Sequence, residues 1–314
     1  MNHVALTVAA TLTVAFCAAA DTTVFTMSAT ELALHENNAP VFVYRYHDVP
    51  RKPYLMEWYT PKGINILRDA PQDHLHHHGL MYAIKVNDVN YWEETDSGGY
   101  QIHDRFSDVR LAPDGATHSA GFVEYLHWRG PDATAPSLLE RRSVHHSPLS
   151  DDTVRVLTWE SELRPPDTDN DTVTLSGRIY HGLGMRFPEF MDGIGAVVMA
   201  DDKTDAFEDG ANHYLAQASW CAYTVVHDET PVTVAMFHCP ENPRPTLWFT
   251  MRQPFAYLSG TQDLMREPMT LQADQPVTMR YGVAAWDAVV DKATINALYN
   301  LWLARLQSHE APAS

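Results

Sequence analysis

The feature that most constrains the fold is an alternation of apolar and polar residues with a period of two, which recurs along much of the chain. In the segment 231–239, Val232 and Val234 fall on one face of an extended strand, and Thr233 falls on the other. Such alternation is typical of strands with one buried face. The other strand candidates are 40–46, 80–86, 122–128, 154–163, 172–180, 195–200, 246–251 and the segment that begins at Val277.

Turn residues separate these segments, and no strand–helix–strand unit is recognisable. A Pro- and Asp-rich loop at 165–171 predicts a hairpin between the strands on either side of it. Many short strands without intervening helices are typical of two packed antiparallel sheets. The predicted fold class is therefore all-β, a large antiparallel β-sandwich, with residues 21–314 forming a single domain.

One long helix is predicted, at the C-terminus, over residues 291–308. Asp291 is a typical N-cap residue. The apolar residues that follow recur at helical spacing: Ile295, Leu298, Trp302 and Leu306. A terminal helix with one apolar stripe most often packs on a sheet, so we expect a structural role.

The net charge of the chain restricts the classes of molecule that the protein is expected to bind. The chain of 314 residues carries 22 Lys and Arg against 40 Asp and Glu, a formal net charge of −18. Such a surface repels phosphate backbones and anionic lipid headgroups, so the sequence argues against nucleic-acid and peripheral membrane binding. Beyond the N-terminus no segment approaches 18 apolar residues in a row, so no integral membrane span is expected.

Residues 1–20 are typical of a secretory signal peptide. An uncharged apolar stretch ends in Cys17 and three alanines, which form a small-residue cleavage site. We therefore predict cleavage after Ala20 and a periplasmic or secreted protein. The alternatives are a first β-strand of a cytoplasmic protein and a lipid anchor. Cleavage would leave Cys221 and Cys239, too few for a disulfide scaffold.

The most informative segment is a run of histidines that follows Asp73. Four of them lie within five residues: His74, His76, His77 and His78. Imidazoles this close repel one another when charged, so most are expected to be neutral near pH 7. Neutral imidazoles can bind metals or transfer protons.

The backbone conformation of this run decides which histidines cooperate. In a strand, His74, His76 and His78 would share one face. In a turn, His74 would instead meet His77 or His78. Flanking Pro and Gly residues favour a loop that leads into the strand at 80–86, where a sandwich cleft opens.

The run supports three interpretations. A divalent metal (Zn, Mn or Ca) would be held by Asp73, His74, His76 and His78. Acid–base catalysis by His74 and His77 would need no metal. A surface turn that binds adventitious metal is the third interpretation.

Other segments supply candidates for the rest of a site. His103 and Arg186 are predicted to be the remaining catalytic residues. Arg186 follows two glycines, which allow a ligand to approach the backbone closely. The predicted substrate-binding residues, mostly from an aromatic loop, are Tyr91, Trp92, Glu94, Tyr100 and Glu140. For Glu140 and the two arginines after it, an exposed ion-pair network is the favoured alternative.

Several of these motifs resemble a bacterial family of unknown function labelled "PmoA-like methane oxygenase". The resemblance rests on K/R-P-Y, D-H-x-x-H-x-G-L and D-V-N-x-x-W motifs between residues 51 and 94. It implies an all-β fold of the galactose-mutarotase-like supersandwich type. It also implies functional roles for Asp73, His74, His77 and His103. A methane oxygenase subunit, however, would need membrane spans of about 20 apolar residues, which this chain lacks.

The sequence favours an exported carbohydrate-active enzyme that cleaves a glycosidic bond. A lyase is slightly favoured over a hydrolase, because histidine with Arg or a metal can supply a base and an oxyanion partner. A hydrolase needs a pair of carboxylates, and no such pair stands out. The alternatives are a sugar epimerase or mutarotase, and a carbohydrate-binding sandwich without catalytic activity.

Overall fold

The computed structural model describes residues 23–111, 120–147, 152–166, 172–200 and 213–310. The predicted signal peptide, residues 1–20, and most of the predicted turn at 165–171 lie outside the described residues. Within the described ranges, no helix is long and apolar enough to cross a membrane.

Strands dominate the described chain, in keeping with the period-two pattern. The first eleven are β1 (Thr23–Met27), β2 (Glu31–Glu36), β3 (Ala39–Arg45), β4 (Tyr54–Trp58), β5 (Leu80–Ala83), β6 (Lys85–Val86), β7 (Val89–Asn90), β8 (Tyr100–Leu111), β9 (Ala120–Arg129), β10 (Leu138–His146) and β11 (Val154–Arg164). The others are β12 (Thr172–Ser176), β13 (Gly182–Arg186), β14 (Ala196–Met199), β15 (His213–Gln217), β16 (Trp220–His227), β17 (Thr230–His238), β18 (Leu247–Met251), β19 (Tyr257–Thr261), β20 (Met269–Gln272) and β21 (Val277–Trp286). A short 3₁₀-helix spans Glu189–Met191.

These strands form antiparallel sheets. In the described part of the chain, one sheet has nine strands in the order β1-β2-β3-β4-β5-β13-β19-β18-β15. A second has eight, in the order β14-β16-β17-β21-β11-β10-β9-β8, and a small third sheet has the order β20-β12-β6-β7. In the nine-stranded sheet, β13 lies between β5 and β19, an arrangement that positions the candidate site.

The two large sheets pack face to face around a common core. Tyr44 on β3 packs against Phe122 on β9 with 4.6 Å between ring centroids. Phe187, just after β13, stacks on Tyr223 of β16 at 5.2 Å. The predicted all-β fold, a large antiparallel β-sandwich of the supersandwich type with a C-terminal helix, is confirmed.

The C-terminal helix α1 (Lys292–Glu310) packs on the outer face of the eight-stranded sheet. Asp291 caps it, as predicted, because its Oδ1 accepts a hydrogen bond from the backbone N–H of Thr294 at 2.8 Å. Trp302 lies over Phe237 and donates to Thr158 at 2.9 Å. This helix explains why the second half of β21 is buried on both faces and loses its alternation.

The hairpin predicted around residues 165–171 is wrong. Strand β11, before this loop, pairs with β10 and β21 in the eight-stranded sheet. Strand β12, after it, pairs with β6 and β20 in the small sheet. Turn residues show where the chain changes direction, but the partner of each strand depends on side-chain packing that local sequence does not encode.

Candidate functional site

The histidine run folds as two consecutive turns that lead into β5. The backbone N–H of His74 donates to the carbonyl of Pro71, and that of His77 donates to the carbonyl of His74, each at 2.9 Å. The rings of His74 and His77 therefore stack, 4.6 Å apart with 18° between their planes. Of the two conformations considered, the turn is observed.

Gly79 ends this run because no other residue fits there. Its φ is +38°, and a Cβ atom would lie 2.0 Å from the carbonyl oxygen of Leu55. This close contact lies between Gly79 and strand β4, and on the other side the backbone N–H of Arg186 donates to the Gly79 carbonyl at 2.9 Å and joins the turn to β13. Arg186 is in turn paired with Tyr257 on β19. The sheet thus brings His77, Arg186 and Tyr257 to one edge.

A cavity of about 250 Å³ opens beside these groups. Its lining combines histidines with aromatic side chains and one carboxylate: His74, His76, His77, Trp92, Glu93, Tyr180, Phe249, Met251, Phe255 and Tyr257. Aromatic faces with a few polar atoms are typical of small-molecule sites.

Arg186 connects the two stacked histidines. It is 1% exposed, and its Nη2 donates to Asp73 Oδ2 at 2.9 Å and to Oδ1 at 3.3 Å. Its Nη1 lies 3.4 Å from His77 Nδ1. Because a guanidinium only donates, His77 Nδ1 must be the acceptor, and the proton of this ring lies on Nε2.

His74 has the opposite tautomer. Its Nδ1 lies 3.0 Å from Asp73 Oδ2. Burial would raise the pKa of Asp73, but hydrogen bonds from His74 and Arg186 bring it to about 2, so the carboxylate is ionised. An ionised carboxylate accepts, so His74 Nδ1 donates and Nε2 is left with a free lone pair. One ring of the stack accepts a proton and the other donates one.

His77 stays neutral near pH 7. Burial, together with the neighbouring His76, His74 and Arg186, lowers the pKa of His77 to about 2. Burial also lowers the pKa of His76. These shifts agree with the neutral imidazoles expected from the sequence.

Glu93 organises another part of the cavity lining. Its Oε1 accepts from Tyr180 at 2.9 Å, and its Oε2 accepts a short hydrogen bond from Asn90. Burial would raise the pKa of Glu93, but His181, Asn90 and Tyr180 hold it well below its usual range. Burial and Glu93 raise the pKa of Tyr180 to about 12. Glu93 is thus ionised and Tyr180 is protonated.

Several polar atoms around the cavity have no hydrogen-bond partner in the described residues. They include Trp92 Nε1 and the Tyr257 hydroxyl, both buried on side chains that line the cavity. Gly184 makes room for them, since a Cβ there would lie 1.9 Å from the Tyr257 hydroxyl and 2.6 Å from Trp92. Unpartnered buried donors are energetically costly, so the polar atoms behind this part of the cavity wall are incompletely satisfied by the described residues.

His78 points away from this cavity into a buried chain of charges. Its Nδ1 lies 2.6 Å from Asp69, and its Nε2 lies 3.0 Å from Glu94. The buried Nζ of Lys52 donates to the same Glu94 oxygen at 2.8 Å. Burial would lower the pKa of His78, but the two carboxylates raise it. Tyr54 stacks on the His78 ring at 4.5 Å.

The predicted metal ligands do not form one set. His78 has both ring nitrogens in hydrogen bonds to carboxylates, while Asp73 is bound to Arg186 and His74. Across the described residues, no group of three or more His, Cys, Asp or Glu side chains is placed to hold a metal ion. A divalent metal at this run stays a prediction.

Some predicted site residues lie elsewhere. His103 binds the buried Glu124 at 2.7 Å and lines a separate cavity of about 170 Å³ that also contains Tyr100. Tyr91 is 1% exposed and packs on Trp128 at 4.9 Å. Glu94 pairs with Lys52 and His78, as described above, and its neighbour Glu93 lines the cavity instead.

Glu140 lies in the protein interior, so it can neither contact a substrate nor belong to an exposed ion-pair network. It is 1% exposed and binds Arg142 through Nε at 2.9 Å and Nη2 at 2.8 Å. Trp128 and Ser161 also donate to it, at 2.8 and 2.6 Å. The alternation of β10 turns Glu140 and Arg142 inward between the sheets, where they satisfy each other. The predicted substrate-binding role of Glu140 and the exposed network are both corrected.

Of the predicted residues, the structure brings together Asp73, His74, His76, His77, Trp92 and Arg186. Sequence reasoning missed Glu93, Tyr180, His181 and Tyr257. Glu93 lies between Trp92 and Glu94, which the sequence analysis named, and Tyr180 ends the predicted strand 172–180, so only these segments as wholes carried a signal. Tyr257 reaches the site through the pairing of β13 with β19, which has no local signature.

Solved structures with a similar fold are distant. A GH36 α-galactosidase, AgaB from Geobacillus stearothermophilus, has a TM-score of 0.46 at 10% identity over 85% of this chain and 41% of its own. The Slr1438 protein from Synechocystis sp. PCC 6803 has a TM-score of 0.38 at 8% identity, and the match covers 88% of this chain and 100% of that protein. A polysaccharide lyase has a TM-score of 0.33 at 10% identity, and the match covers 87% of this chain and 34% of the lyase. This chain thus spans about two fifths of the α-galactosidase, and TM-scores this low carry no argument about activity.

Among curated proteins, none matches this sequence. The predicted membership of the PmoA-like methane oxygenase family is wrong, because the family model that matches is a different one. That match runs from residue 31 to residue 300, most of the chain. The chain belongs to DUF6807, a family of unknown function.

Proposed function

We propose that the protein is a carbohydrate-active enzyme that cleaves a glycosidic bond by elimination in the cavity beside His74 and His77. The observation that carries this proposal is the position of Arg186. By donating to both Asp73 and His77, it gives two stacked imidazoles opposite tautomers. A ring nitrogen that can accept a proton, His74 Nε2, and a neutral hydrogen-bond donor, His77 Nε2–H, then lie on stacked rings.

This pair matches the needs of proton abstraction next to a carbonyl or carboxylate group. His74 Nε2 takes the proton from carbon, and Asp73 stabilises the imidazolium that forms. His77 Nε2–H donates to the oxygen on which negative charge develops. Because its pKa is about 2, His77 donates as a neutral ring and does not lose its role as pH falls toward 5.

Tyr180 is the candidate proton donor for the leaving group. It lines the cavity, and its raised pKa keeps it protonated at neutral pH. Its neighbour Glu93 holds the hydroxyl in place through the 2.9 Å hydrogen bond. A base and an acid that line the same cavity suit an elimination, in which one proton leaves carbon and another reaches the departing oxygen.

The number of carboxylates at the cavity argues against hydrolysis. A glycosidase of the usual kind needs two carboxyl groups flanking the bond. Glu93 is the one carboxylate lining the cavity within the described ranges. The nearby Asp73 is already bound by Arg186 and His74.

A sugar is the ligand that the walls favour. The cavity lining is mostly aromatic and includes the partly exposed ring of Tyr180, which suits the apolar face of a sugar, while the neutral His77 Nε2–H suits a hydroxyl or carbonyl oxygen. A volume of about 250 Å³ is near the lower end for ligand pockets, so one ring is expected to enter. Export of the protein, which rests on residues 1–20, would place the substrate outside the cytoplasm.

A sugar epimerase is the second candidate, because the same small cavity would let a proton be removed and returned on one ring. The mass of the product separates the two reactions. Isomerisation leaves the mass of the substrate unchanged, whereas elimination yields two products, one of them unsaturated.

The test replaces His74 by Ala and measures product formation from a panel of glycans by mass spectrometry. Removing a general base is expected to lower kcat by roughly 100- to 10,000-fold. His227→Ala, at a half-exposed histidine on β16, is the matched control and is expected to keep full activity. Undiminished turnover by His74→Ala would refute the assignment, and elemental analysis of untagged protein would test the predicted metal.

A further inference from the structure

An exposed cation lies beside the cavity, although the chain as a whole is acidic. The Nε of Arg178 is 3.6 Å from Glu93 Oε1, the oxygen that also accepts the Tyr180 hydroxyl hydrogen bond at 2.9 Å. Glu93 and Tyr180 line the cavity, whereas Arg178 lies outside its lining. A side chain that contacts the lining and is 57% exposed to water belongs to the rim of the cavity.

The guanidinium of Arg178 is available to a ligand. Its 3.6 Å contact with Glu93 is longer than a hydrogen bond, so the attraction is electrostatic and does not use up the Nε–H group. An exposed guanidinium also binds water through several N–H donors, and a ligand can displace that water. Arg186 differs, because it is 1% exposed and its terminal nitrogens are held by Asp73 and His77.

A second cation lies next to Arg178. Lys85 on β6 pairs with Ser176 on β12, two residues before Arg178. Burial lowers the pKa of the nearby His181, and the positive charges of Arg178 and Lys85 lower it further. Two cations and the one carboxylate of Glu93 give this group of side chains a net positive charge, in contrast to the −18 of the whole chain.

The proposed function determines which part of the substrate reaches this rim. One sugar ring enters the cavity of about 250 Å³, and Tyr180 gives its proton to the departing oxygen. The bond that breaks therefore lies next to Tyr180, and the departing sugar extends past it toward Arg178. A carboxylate group is planar and matches the N–H donors of a guanidinium in a bidentate pair.

We propose, on the basis of the function proposed above, that Arg178 binds a carboxylate group on the departing sugar, so that the substrate is an acidic oligosaccharide. Glu93 holds the guanidinium beside the cavity before the substrate arrives. Lys85 adds attraction for an anionic sugar at this rim, which offsets the repulsion from the acidic chain. Because this subsite does not contact the reacting ring, it affects binding and selectivity and not proton transfer.

The first experiment measures binding by calorimetry to His74→Ala, which is not expected to consume the substrate. The two probes share a glucuronate methyl glycoside as the reacting ring. They differ in the sugar linked to its O4, which is glucuronate in the acidic probe and glucose in the neutral probe. We expect the acidic probe to bind about 10-fold more tightly, the effect of one charge-assisted contact at an exposed site. Added salt should remove this difference.

Substitutions in the same background assign the effect to Arg178. Arg178→Gln should bind both probes equally, and Arg178→Lys should keep part of the preference, because it retains the charge without the bidentate geometry. Arg110→Gln is the matched control and should keep the full preference, since Arg110 is 63% exposed and pairs with Asp108 on β8. Equal binding of the two probes to His74→Ala, no binding of either, or a preference that survives Arg178→Gln overturns the subsite.

Turnover by the protein with His74 intact distinguishes failure of the subsite from failure of the proposed function. Arg178→Gln should raise the KM of the acidic probe about 10-fold and leave kcat nearly unchanged. If the acidic probe binds through Arg178 but neither probe yields an unsaturated product, the subsite is supported and the proposed elimination is not. Cleavage of both probes with the same kcat/KM supports elimination and overturns the subsite.

Arg178 could instead act through the leaving-group acid, and the kinetics separate the two roles. Burial and Glu93 raise the pKa of Tyr180, and Arg178 partly offsets that rise. An Arg178→Gln variant that lowers kcat equally for both probes, with KM unchanged, would assign Arg178 to proton donation by Tyr180 and would overturn the subsite.

Discussion

His77 and His78 are neighbours in the chain, yet they belong to two regions with opposite electrostatics. His77 lines the cavity, keeps a protonated Nε2 available, and has a pKa lowered to about 2. His78 faces the other way, has both nitrogens bound by carboxylates, and has a raised pKa. We call the first region the cavity turn (residues 73–77) and the second the charge chain (Lys52, Glu94, His78, Asp69 and Tyr54).

The difference shows how a structural histidine is distinguished from a reactive one. In the charge chain every polar atom of the imidazole is used, so the ring neutralises buried carboxylates and stabilises the junction of β5 with its neighbours. In the cavity turn His74 and His77 each have one nitrogen held by a hydrogen bond and one free, so the ring is oriented while one nitrogen stays available for chemistry. We therefore expect substitutions in the charge chain to affect stability and substitutions in the cavity turn to affect activity.

The largest expected effect comes from removing the cation of the charge chain. Lys52→Met removes the 2.8 Å partner of Glu94, a side chain that is 13% exposed and then keeps the His78 contact, and breaking a buried ion pair from one side costs about 3–5 kcal/mol. The free energy of unfolding, measured with a chemical denaturant, should fall by that amount. The exposed Lys62 supplies the matched control, Lys62→Met, with a change within about 0.5 kcal/mol. Equal stability of the two variants would mean that the charge chain contributes nothing.

The two histidines should also give opposite responses to pH. The pKa of His77 is lowered on folding, so below pH 6.5 the unfolded chain binds a proton that the folded protein does not, and stability falls as pH falls. The pKa of His78 is raised on folding, so its contribution is complete below pH 6.5 and is lost as pH rises through its folded pKa.

Denaturant titrations between pH 4.5 and 8 would measure both responses. His77→Asn should remove a loss of about 1.4 kcal/mol per pH unit below pH 6.5, whereas His78→Asn should flatten the stability curve above pH 6.5. Subtracting each variant's curve from that of the wild type cancels the other titrating groups. If both differences had the same sign, the assigned environments would be wrong.

Local sequence predicted the arrangement of the cavity turn, but it could not predict that His78 belongs to the charge chain. The stacking of His74 on His77 follows from their spacing of three in a turn, and Arg186 was found from the glycines before it. The division between His77 and His78 depends on Asp69 and Glu94, which come from distant segments. Period-two alternation likewise shows that Glu140 and Arg142 share a face, but not that this face is the interior between two sheets.

The same limit applies to the strands. Alternation and the helical stripe predicted most of the elements, because both are local properties of a half-buried segment. The separation of β11 from β12 into different sheets, and the meeting of Tyr257 with Arg186, depend on which strands become neighbours. Register and neighbour choice are set by packing across the whole sandwich, so no single segment contains them.

Among the substitutions in the two regions, His74→Ala is expected to have the smallest effect on stability, although it should most reduce activity. The His74 side chain is 37% exposed, and its ring contacts only the turn and the edge of Phe255. Its removal should therefore change the free energy of unfolding by no more than about 1 kcal/mol. A large loss of activity with this small loss of stability would identify His74 as part of the chemistry. A loss comparable with that of Lys52→Met would instead mean that His74 supports the turn, because a residue that holds its own segment in place cannot be replaced without unfolding it.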